Sequence, residues 1–245
     1  MRAALGGLRA AVGLLTIVPA GRGAPGDGAL RAAPGWFVVV GALLGATAAG
    51  AWVLAEPLLG GAYASALALT VTAALTGALH HDGLADTADG LGVRGGASLR
   101  LAVMRESQIG AYGALALIAW ALLALSALAR LTPSEAASAL VCGHALGRWA
   151  TLPQLARLTP AREDGLGAAF SAGPVGVLGG SACAAVIALA VAGPVAGAAA
   201  LGAALVGSGA TALLAQRSVG GRTGDTLGAT VLVTELLVYS VLAAI

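Results

Sequence analysis

The sequence has no lysine and no asparagine, and only 10% of its 245 residues are charged. All 13 basic residues are therefore arginine. A phosphate-binding P-loop needs a lysine after its glycines, so the absence of lysine excludes that route to nucleotide binding. A soluble globular domain has about 25% charged residues, and this chain has too few to cover a water-exposed surface. No run of basic residues indicates a nucleic-acid partner.

Cysteine is scarce as well. The two cysteines, Cys142 and Cys183, both lie in apolar runs and lack the spacing of metal ligands. We interpret them as small apolar side chains of a packed interior. A cysteine-based metal site is therefore not predicted.

The chain is instead rich in apolar sequence, with 58% hydrophobic residues and 38 glycines. Small residues allow membrane helices to pack closely, and they permit a homo-oligomer. We predict an all-α, polytopic integral membrane helical bundle that forms a single domain over residues 1–245. A span needs roughly 20 mostly apolar residues. Seven segments qualify: 36–55, 62–79, 109–129, 136–152, 175–192, 195–214 and 227–245.

Orientation follows from the arginines, because the cytoplasmic loops of membrane proteins are enriched in basic residues. With the N-terminus in the cytoplasm, eleven arginines lie in inside segments, Arg130 lies outside and Arg148 lies within a span. The polar, glycine-rich segments 80–108, 153–174 and 215–226 then share the cytoplasmic face. The short apolar stretch near the N-terminus is interpreted as interfacial or re-entrant. We expect a multi-pass protein of the cell (inner/plasma) membrane.

The most informative stretch is residues 80–90, HHDGLADTADG. Its acids Asp82, Asp86 and Asp89 are four and three residues apart, so a helix would place them on one face. Like charges on one face repel one another, and a divalent cation with oxygen ligands would offset them. Because the stretch directly follows an apolar run, we expect the acids where a membrane helix meets water.

Arginines accompany these acids. Arg105 follows in the same polar segment, and Arg222 lies in the glycine-rich segment 220–228 beside Asp225. Carboxylates hold Mg²⁺ or Mn²⁺ and leave positions for substrate phosphates, and arginine contacts phosphate oxygens through two hydrogen bonds. This combination predicts phosphoryl transfer, although the acid spacing alone does not separate phosphotransferases from prenyltransferases.

Several other residues carry more than one interpretation. Asp225 begins the last span, where a carboxylate is often a helix cap, and a metal or base role is compatible with that. His80 is a candidate metal ligand, general base, phosphate donor or plain hydrogen-bond partner. His144 and Arg148 share one helix face inside a span, either as a polar wall for an anionic substrate or as a structural pair. Glu235 is interpreted as a helix-packing residue.

Taken together, these segments resemble a known family. Residues 76–90 (TGALHHDGLADTADG) resemble the signature of the cobalamin-5′-phosphate synthases, also called adenosylcobinamide-GDP ribazoletransferases. The supporting matches are MRES at 104–107, IGAYG at 109–113, His144 with Arg148-Trp149, EDGLG at 163–167 and GRTGDTLGA at 221–229. One departure is His81, where many members of the family carry Glu.

The resemblance implies a Mg²⁺-dependent transfer at the cytoplasmic membrane face. A hydroxyl of α-ribazole, or of its 5′-phosphate, would attack the phosphorus nearer the corrinoid in adenosylcobinamide-GDP, and GMP would leave. Asp82, Asp86 and Asp89 would hold the metal, and one acid, Asp225 or His80 would act on the attacking hydroxyl. The substrate-binding residues would be Arg105, Arg222, Arg148 and His144.

Three other functions compete with this one. A membrane phosphotransferase acting on CDP-alcohols would use acids at such spacing, but Asp82-Gly83 is followed by Leu84-Ala85 rather than the usual Ala-Arg. A prenyltransferase would need a second aspartate-rich motif, which the isolated Asp225 does not provide. A small-solute transporter would place its acids within the spans rather than at one face.

Overall fold

The computed structural model describes residues 2–21, 23 and 25–245, so Arg22 of the first predicted cytoplasmic segment lies outside the described residues. Every regular element in these ranges is a helix, and a 3-10 turn at Ala33–Trp36 joins the second helix to the third. The all-α prediction is therefore confirmed. The helices are α1 Arg2–Leu15, α2 Asp27–Ala32, α3 Phe37–Leu75, α4 Leu79–Gly92, α5 Ala97–Val103, α6 Ala111–Leu128, α7 Pro133–Trp149, α8 Thr151–Arg157, α9 Leu166–Ala169, α10 Pro174–Ala192, α11 Pro194–Val219 and α12 Gly224–Leu242.

Five helical stretches among the described residues are long and apolar enough to cross a membrane, judged by length and composition. They are Asp27–Leu75, Ala111–Leu128, Pro174–Ala192, Pro194–Val219 and Gly224–Leu242. The prediction of a polytopic membrane protein is thus confirmed, whereas the seven predicted segments correspond to five such stretches. The difference arises at α3 and α7.

Helix α3 covers most of two of the predicted spans, 36–55 and 62–79, and ends at Leu75. Its only non-helical residue is Gly60, with φ of +79°, which lies three residues after Pro57. Beyond it the chain folds back, because Trp52 Nε1 donates a hydrogen bond to Ser65 Oγ at 3.0 Å. In a straight helix these residues would be about 20 Å apart. The two limbs of α3 therefore pack against each other.

Helix α7 is the second difference, since it has 17 residues and ends at Trp149, with α8 beginning at Thr151. It lies at the centre of the bundle. A Cβ on Gly45 of α3 would lie 2.5 Å from Leu140 O, and one on Gly147 would lie 3.0 Å from Val231 O of α12. The glycines therefore let α3 and α12 contact the backbone of α7 closely, as in other membrane bundles.

The outer surface of the bundle is apolar. Helix α10 exposes Val175 and Leu178, and α6 exposes Leu115, Ile118 and Leu122. Large exposed apolar patches of this kind mark contact with a membrane or a partner. Here they lie on helices of spanning length, so we interpret this surface as facing lipid.

The acidic stretch forms α4, as the aspartate spacing predicts. Gly77 and Ala78, both left-handed with φ of +58° and +56°, separate α4 from the end of α3. The other two polar segments return to the same end of the bundle. The backbone of Arg222 hydrogen-bonds Thr159 and Ala161, which joins the α11–α12 turn to the α8–α9 loop. This arrangement brings the three predicted polar segments together.

Candidate functional site

The site is organised by the crossing of α4 and α12. A Cβ on Gly83 would lie 2.8 Å from Asp225 O and 3.1 Å from the Cα of Gly228, and one on Gly228 would lie 3.2 Å from the Cα of Gly83. The two helix backbones therefore touch at these glycines. Because Asp82 and Asp86 flank Gly83, the crossing brings the acids of α4 beside Asp225.

The acids interact electrostatically. Burial, followed by the charges of Asp82, Asp225 and Asp89, raises the pKa of Asp86 to about 6. Such repulsion between carboxylates is what a bound divalent cation would relieve, and hard cations prefer carboxylate oxygens. The residues therefore fit Mg²⁺ in charge and donor type. Within the described part of the chain, no three His, Cys, Asp or Glu side chains converge as a preformed metal cluster.

Asp89 has a further role that its spacing did not reveal. Its Oδ2 accepts a hydrogen bond from Gly110 N at 2.7 Å, and its Oδ1 accepts one from Gly113 N at 2.9 Å. Gly110 is the N-cap of α6, where the backbone N–H groups lack partners within the helix. Asp89 therefore caps α6 from another helix, and its role as a metal ligand stays a prediction.

Asp225 begins α12 in a capped turn. Thr223 is the N-cap, and its Oγ1 accepts a hydrogen bond from Thr226 N at 3.1 Å and donates one to Asp225 Oδ2 at 3.2 Å. The same Oδ2 pairs with the guanidinium of Arg162. The sequence offered no reason to select Arg162 from its mixed loop, because its partner is 63 residues away.

The two arginines predicted to bind phosphate occupy different environments. Arg222 is buried, and its guanidinium donates to Leu158 O and to Phe170 O, the latter at 2.9 Å. It thereby joins the first residue after α8 to the first residue after α9. Arg105 lies on the exposed rim, where its guanidinium pairs with Asp164 at 2.6 Å.

His144 and Arg148 of α7 form a buried network with Glu235 of α12. Glu235 Oε1 accepts a hydrogen bond from Arg148 and lies 2.7 Å from His144 Nδ1, and all three side chains are about 2% exposed. Tyr239 lies 3.5 Å from the other ring nitrogen of His144. The structure thus pairs Glu235 with the two residues that were predicted to face substrate. Glu235 supplies the carboxylate that the buried guanidinium of Arg148 needs.

His80 is buried at the start of α4, and its Nε2 has no hydrogen-bond partner. Burial, with a smaller effect from Arg148, holds its pKa well below the usual range, so the imidazole is neutral. The neighbouring His81 packs its ring edge against Trp120, with centroids 5.0 Å apart. His81 Nδ1 also has no hydrogen-bond partner, but His80 is the histidine of this pair that lines the cavity described next.

A cavity of about 240 Å³ lies next to these groups. It is lined by residues of α1, α3, α4, α7, α8, the α8–α9 loop, α9 and the start of α12. Predicted site residues that line it are His80, Asp82, Arg148, Arg222 and Asp225, together with the unpredicted Arg162. Asp86, Asp89, His144 and Arg105 are not among its lining residues.

Comparison with known proteins gives a family match over almost the whole chain. Residues 7–243 match the sequence model of a family described as cobalamin-5-phosphate synthase. A protein of Bradyrhizobium diazoefficiens named adenosylcobinamide-GDP ribazoletransferase is 38% identical, and the match covers 100% of this chain and 95% of the relative. A protein of the same name from Ralstonia nicotianae is 40% identical, with 100% and 97% covered. A third, from Sinorhizobium medicae, is 40% identical, with 89% and 87% covered. No solved structure matches the chain.

Proposed function

Because the chain belongs to the cobalamin-5-phosphate synthase family, we propose that it transfers the phosphocobinamide group of adenosylcobinamide-GDP to α-ribazole or to its 5′-phosphate. The name shared by these relatives, adenosylcobinamide-GDP ribazoletransferase, identifies the two reactants as adenosylcobinamide-GDP and a ribazole. The observation that carries the proposal is the crossing of α4 and α12, which sets carboxylates and Arg162 around one cavity. Carboxylates beside arginine suit the transfer of a phosphoryl group between two oxygens.

The reaction is a displacement at phosphorus. The oxygen of a ribose hydroxyl that is free in both acceptors, and therefore is not the 5′-oxygen, forms a bond to the phosphorus nearer the corrinoid, and the bond from that phosphorus to the bridging oxygen breaks. GMP leaves with the bridging oxygen, and the hydroxyl proton passes to a base. With α-ribazole as acceptor the product is adenosylcobalamin, and with the 5′-phosphate it is the corresponding phosphate.

We propose that Asp82, Asp86 and Asp225 would hold Mg²⁺, with Asp89 as a further predicted ligand. When bound, the cation would offset the negative charge of the diphosphate. The chain's own residues position the reactants. Arg162 and Arg222 provide positive charge at the cavity for the transferred phosphoryl group and the leaving GMP. His80, neutral and without a partner at Nε2, would accept the proton of the attacking hydroxyl.

The distribution of the arginines indicates the orientation of the protein in the membrane. The described polar segments meet at one end of the bundle, and this end carries most of the arginines. We propose that this end faces the cytoplasm, where the water-soluble donor and acceptor are available. We also propose that the protein lies in the cell (inner/plasma) membrane.

A turnover assay on detergent-purified protein tests the proposal. Adenosylcobinamide-GDP and α-ribazole are supplied with Mg²⁺ or with EDTA, and GMP and the corrinoid product are followed. We expect equal amounts of both products with Mg²⁺ and none with EDTA. Turnover with a CDP-alcohol donor instead would assign the protein to the neighbouring phosphotransferases. No turnover with either pair, in folded protein, would contradict phosphoryl transfer.

A further inference from the structure

The cavity beside the acids has two different walls. One wall is charged and carries Asp82, Asp225 and Arg162. The other is formed by Leu15, Phe37 and other members of a single apolar core cluster. A ligand that fills this cavity therefore needs an apolar part and a polar part.

The apolar wall has an aromatic centre. Phe37 and Phe170 lie with ring centroids 6.2 Å apart and planes at 57°, and Leu155 lines the cavity with them. Their side chains offer no hydrogen-bonding atoms to a ligand. A flat apolar ring system would bury its faces here without leaving polar groups unpaired.

Two buried nitrogen groups of residues that line the cavity have no hydrogen-bond partner. His80 Nε2 and Arg148 Nε make no hydrogen bond, although the residues are only 4% and 2% exposed. Both residues line the cavity. A buried polar group without a hydrogen-bond partner costs about 1–3 kcal/mol. A ligand whose hydroxyl groups reach these two nitrogen atoms would remove that cost.

Size limits the choice further. A cavity of about 240 Å³ is below the roughly 300–1,000 Å³ of pockets that hold whole drug-sized ligands. It therefore excludes a corrinoid, which must stay outside. The adenosyl group of the donor is bonded to the corrinoid and stays outside with it, so two nucleosides remain under the proposed function, namely the guanosine of the donor and the riboside acceptor.

The hydrogen-bonding groups of the two bases distinguish guanosine from the riboside acceptor. Guanine presents several N–H and C=O groups along its edges, and the phenylalanine and leucine wall would leave them unpaired. A benzimidazole has only carbon on its outer edge. We infer that the cavity is the acceptor subsite: it takes an α-riboside with an apolar bicyclic base, with the base against Phe37, Leu155 and Phe170, the ribose at His80 and Arg148, and the attacking ribose hydroxyl toward the acids. This inference rests on the proposed function and assigns the subsite within it.

Direct binding tests the assignment without turnover. The dissociation constants of α-ribazole, of the α-riboside carrying guanine, and of GDP are measured on purified protein by calorimetry. We expect α-ribazole to bind at least about tenfold more tightly than the guanine riboside, since the apolar wall assigned to the base would leave the polar edges of guanine unpaired. GDP should not displace α-ribazole. Displacement of α-ribazole by GDP, or no α-ribazole binding with or without GDP, would overturn the inference.

Helix α8 provides a matched pair of variants. Leu155 and Leu152 are both buried in the same core cluster, but Leu155 lines the cavity whereas Leu152 packs toward Gly180 of α10. Leu155→Ala should weaken α-ribazole binding by about 10- to 100-fold, the usual effect of removing several methyl or methylene contacts, with GDP affinity unchanged. Leu152→Ala should leave both affinities unchanged. If Leu155→Ala alters GDP affinity instead, the cavity holds guanosine.

The same variants separate the two proposals. If the wild type forms GMP and the corrinoid product, but Leu155→Ala binds α-ribazole normally, the proposed function stands and the subsite assignment is wrong. If α-ribazole binds as expected but no product forms with adenosylcobinamide-GDP, the subsite stands and the proposed reaction is wrong.

Discussion

The guanidinium of Arg162 pairs with the carboxylate of Asp225, and their side chains are only 15% and 23% exposed. Arg162 also opposes the negative charge around Asp86, to which Asp82, Asp225 and Asp89 contribute. The acidic site therefore contains a positive charge of its own. A cation that binds these acids must share them with Arg162.

Arg162→Gln removes that charge and should separate metal binding from turnover. With less positive charge nearby, the substrate-free protein should bind Mn²⁺ about tenfold more tightly. Turnover should fall by about 100-fold or more, because a charge that stabilises the transferred phosphoryl group is lost. Electron paramagnetic resonance of free Mn²⁺ measures the first effect. The exposed Arg157→Gln is the control, and unchanged Mn²⁺ affinity in Arg162→Gln would contradict the account.

Asp86 makes the stability of the metal-free protein depend on pH. Burial and neighbouring carboxylates raise its pKa to about 6, so its contribution to stability is present below its unfolded pKa and is lost as pH rises through 6. Asp86→Asn should therefore raise the unfolding temperature at about pH 8 and leave it unchanged at about pH 4. Mg²⁺ should stabilise the wild type at the higher pH and not the variant. A lower unfolding temperature for Asp86→Asn at high pH would contradict this.

Asp89 should behave differently from Asp86 because it caps α6. In Asp89→Asn one carboxylate oxygen becomes an amide nitrogen, so the side chain can accept from only one of the N–H groups of Gly110 and Gly113. We expect a loss of about 1 kcal/mol in stability, the usual net contribution of one hydrogen bond. Thermal unfolding of the two asparagine variants side by side at pH 8 checks this. Equal unfolding temperatures would show that Asp89 is not a cap.

The glycine contact between α4 and α12 sets the distance between the acids. Gly83→Ala would place a Cβ 2.8 Å from Asp225 O, so the helices must separate. A displacement of about 1 Å in an active site can reduce turnover by about 100-fold. We expect that loss for Gly83→Ala in the adenosylcobinamide-GDP assay. Gly202→Ala in α11, where an added Cβ meets nothing within 4 Å, should leave turnover unchanged.

The buried Arg148–Glu235 pair gives a prediction on stability. Glu235→Gln leaves the guanidinium without its carboxylate and should cost about 3–5 kcal/mol. Adding Arg148→Met removes the unpaired charge, so the double variant should recover most of that loss. Chemical unfolding of the four proteins of this cycle measures the coupling. If the double variant is stable but inactive, Arg148 also contacts substrate. If the effects of the two single changes on the free energy of unfolding add up to the effect of the double change, the Arg148–Glu235 pair contributes nothing to stability.

The elements that depend on local pattern could be predicted from the sequence. Low charge and long apolar runs predicted an all-α membrane protein, and the four- and three-residue spacing of Asp82, Asp86 and Asp89 predicted the helix that carries them. The break between α10 and α11 lies at Gly193-Pro194, between the predicted spans 175–192 and 195–214, and Gly193 has a φ of +80° there. Each of these depends on neighbouring residues only.

The pairings across the bundle could not be predicted. Arg162 meets Asp225, Arg148 meets Glu235 and Asp89 meets the start of α6 across 63, 87 and 21 residues, respectively. These pairings depend on how the helices pack, which composition and spacing do not encode. The apolar pattern of the sequence separates the two predicted spans that α3 joins. It does not predict the fold-back at Gly60, because a glycine permits this backbone geometry but does not require it.

The central claim is that acids of α4 and Asp225 of α12 share one divalent cation. Metal-directed cleavage tests it most directly: Fe²⁺ replaces Mg²⁺ in the purified protein, ascorbate and peroxide generate hydroxyl radicals at the bound ion, and the cut sites are mapped. The account predicts cuts both in α4 near residues 82–86 and at the start of α12 near Asp225, all suppressed by excess Mg²⁺ and lost in Asp86→Asn. Cuts confined to one helix, or insensitive to Mg²⁺ and to Asp86→Asn, would contradict it.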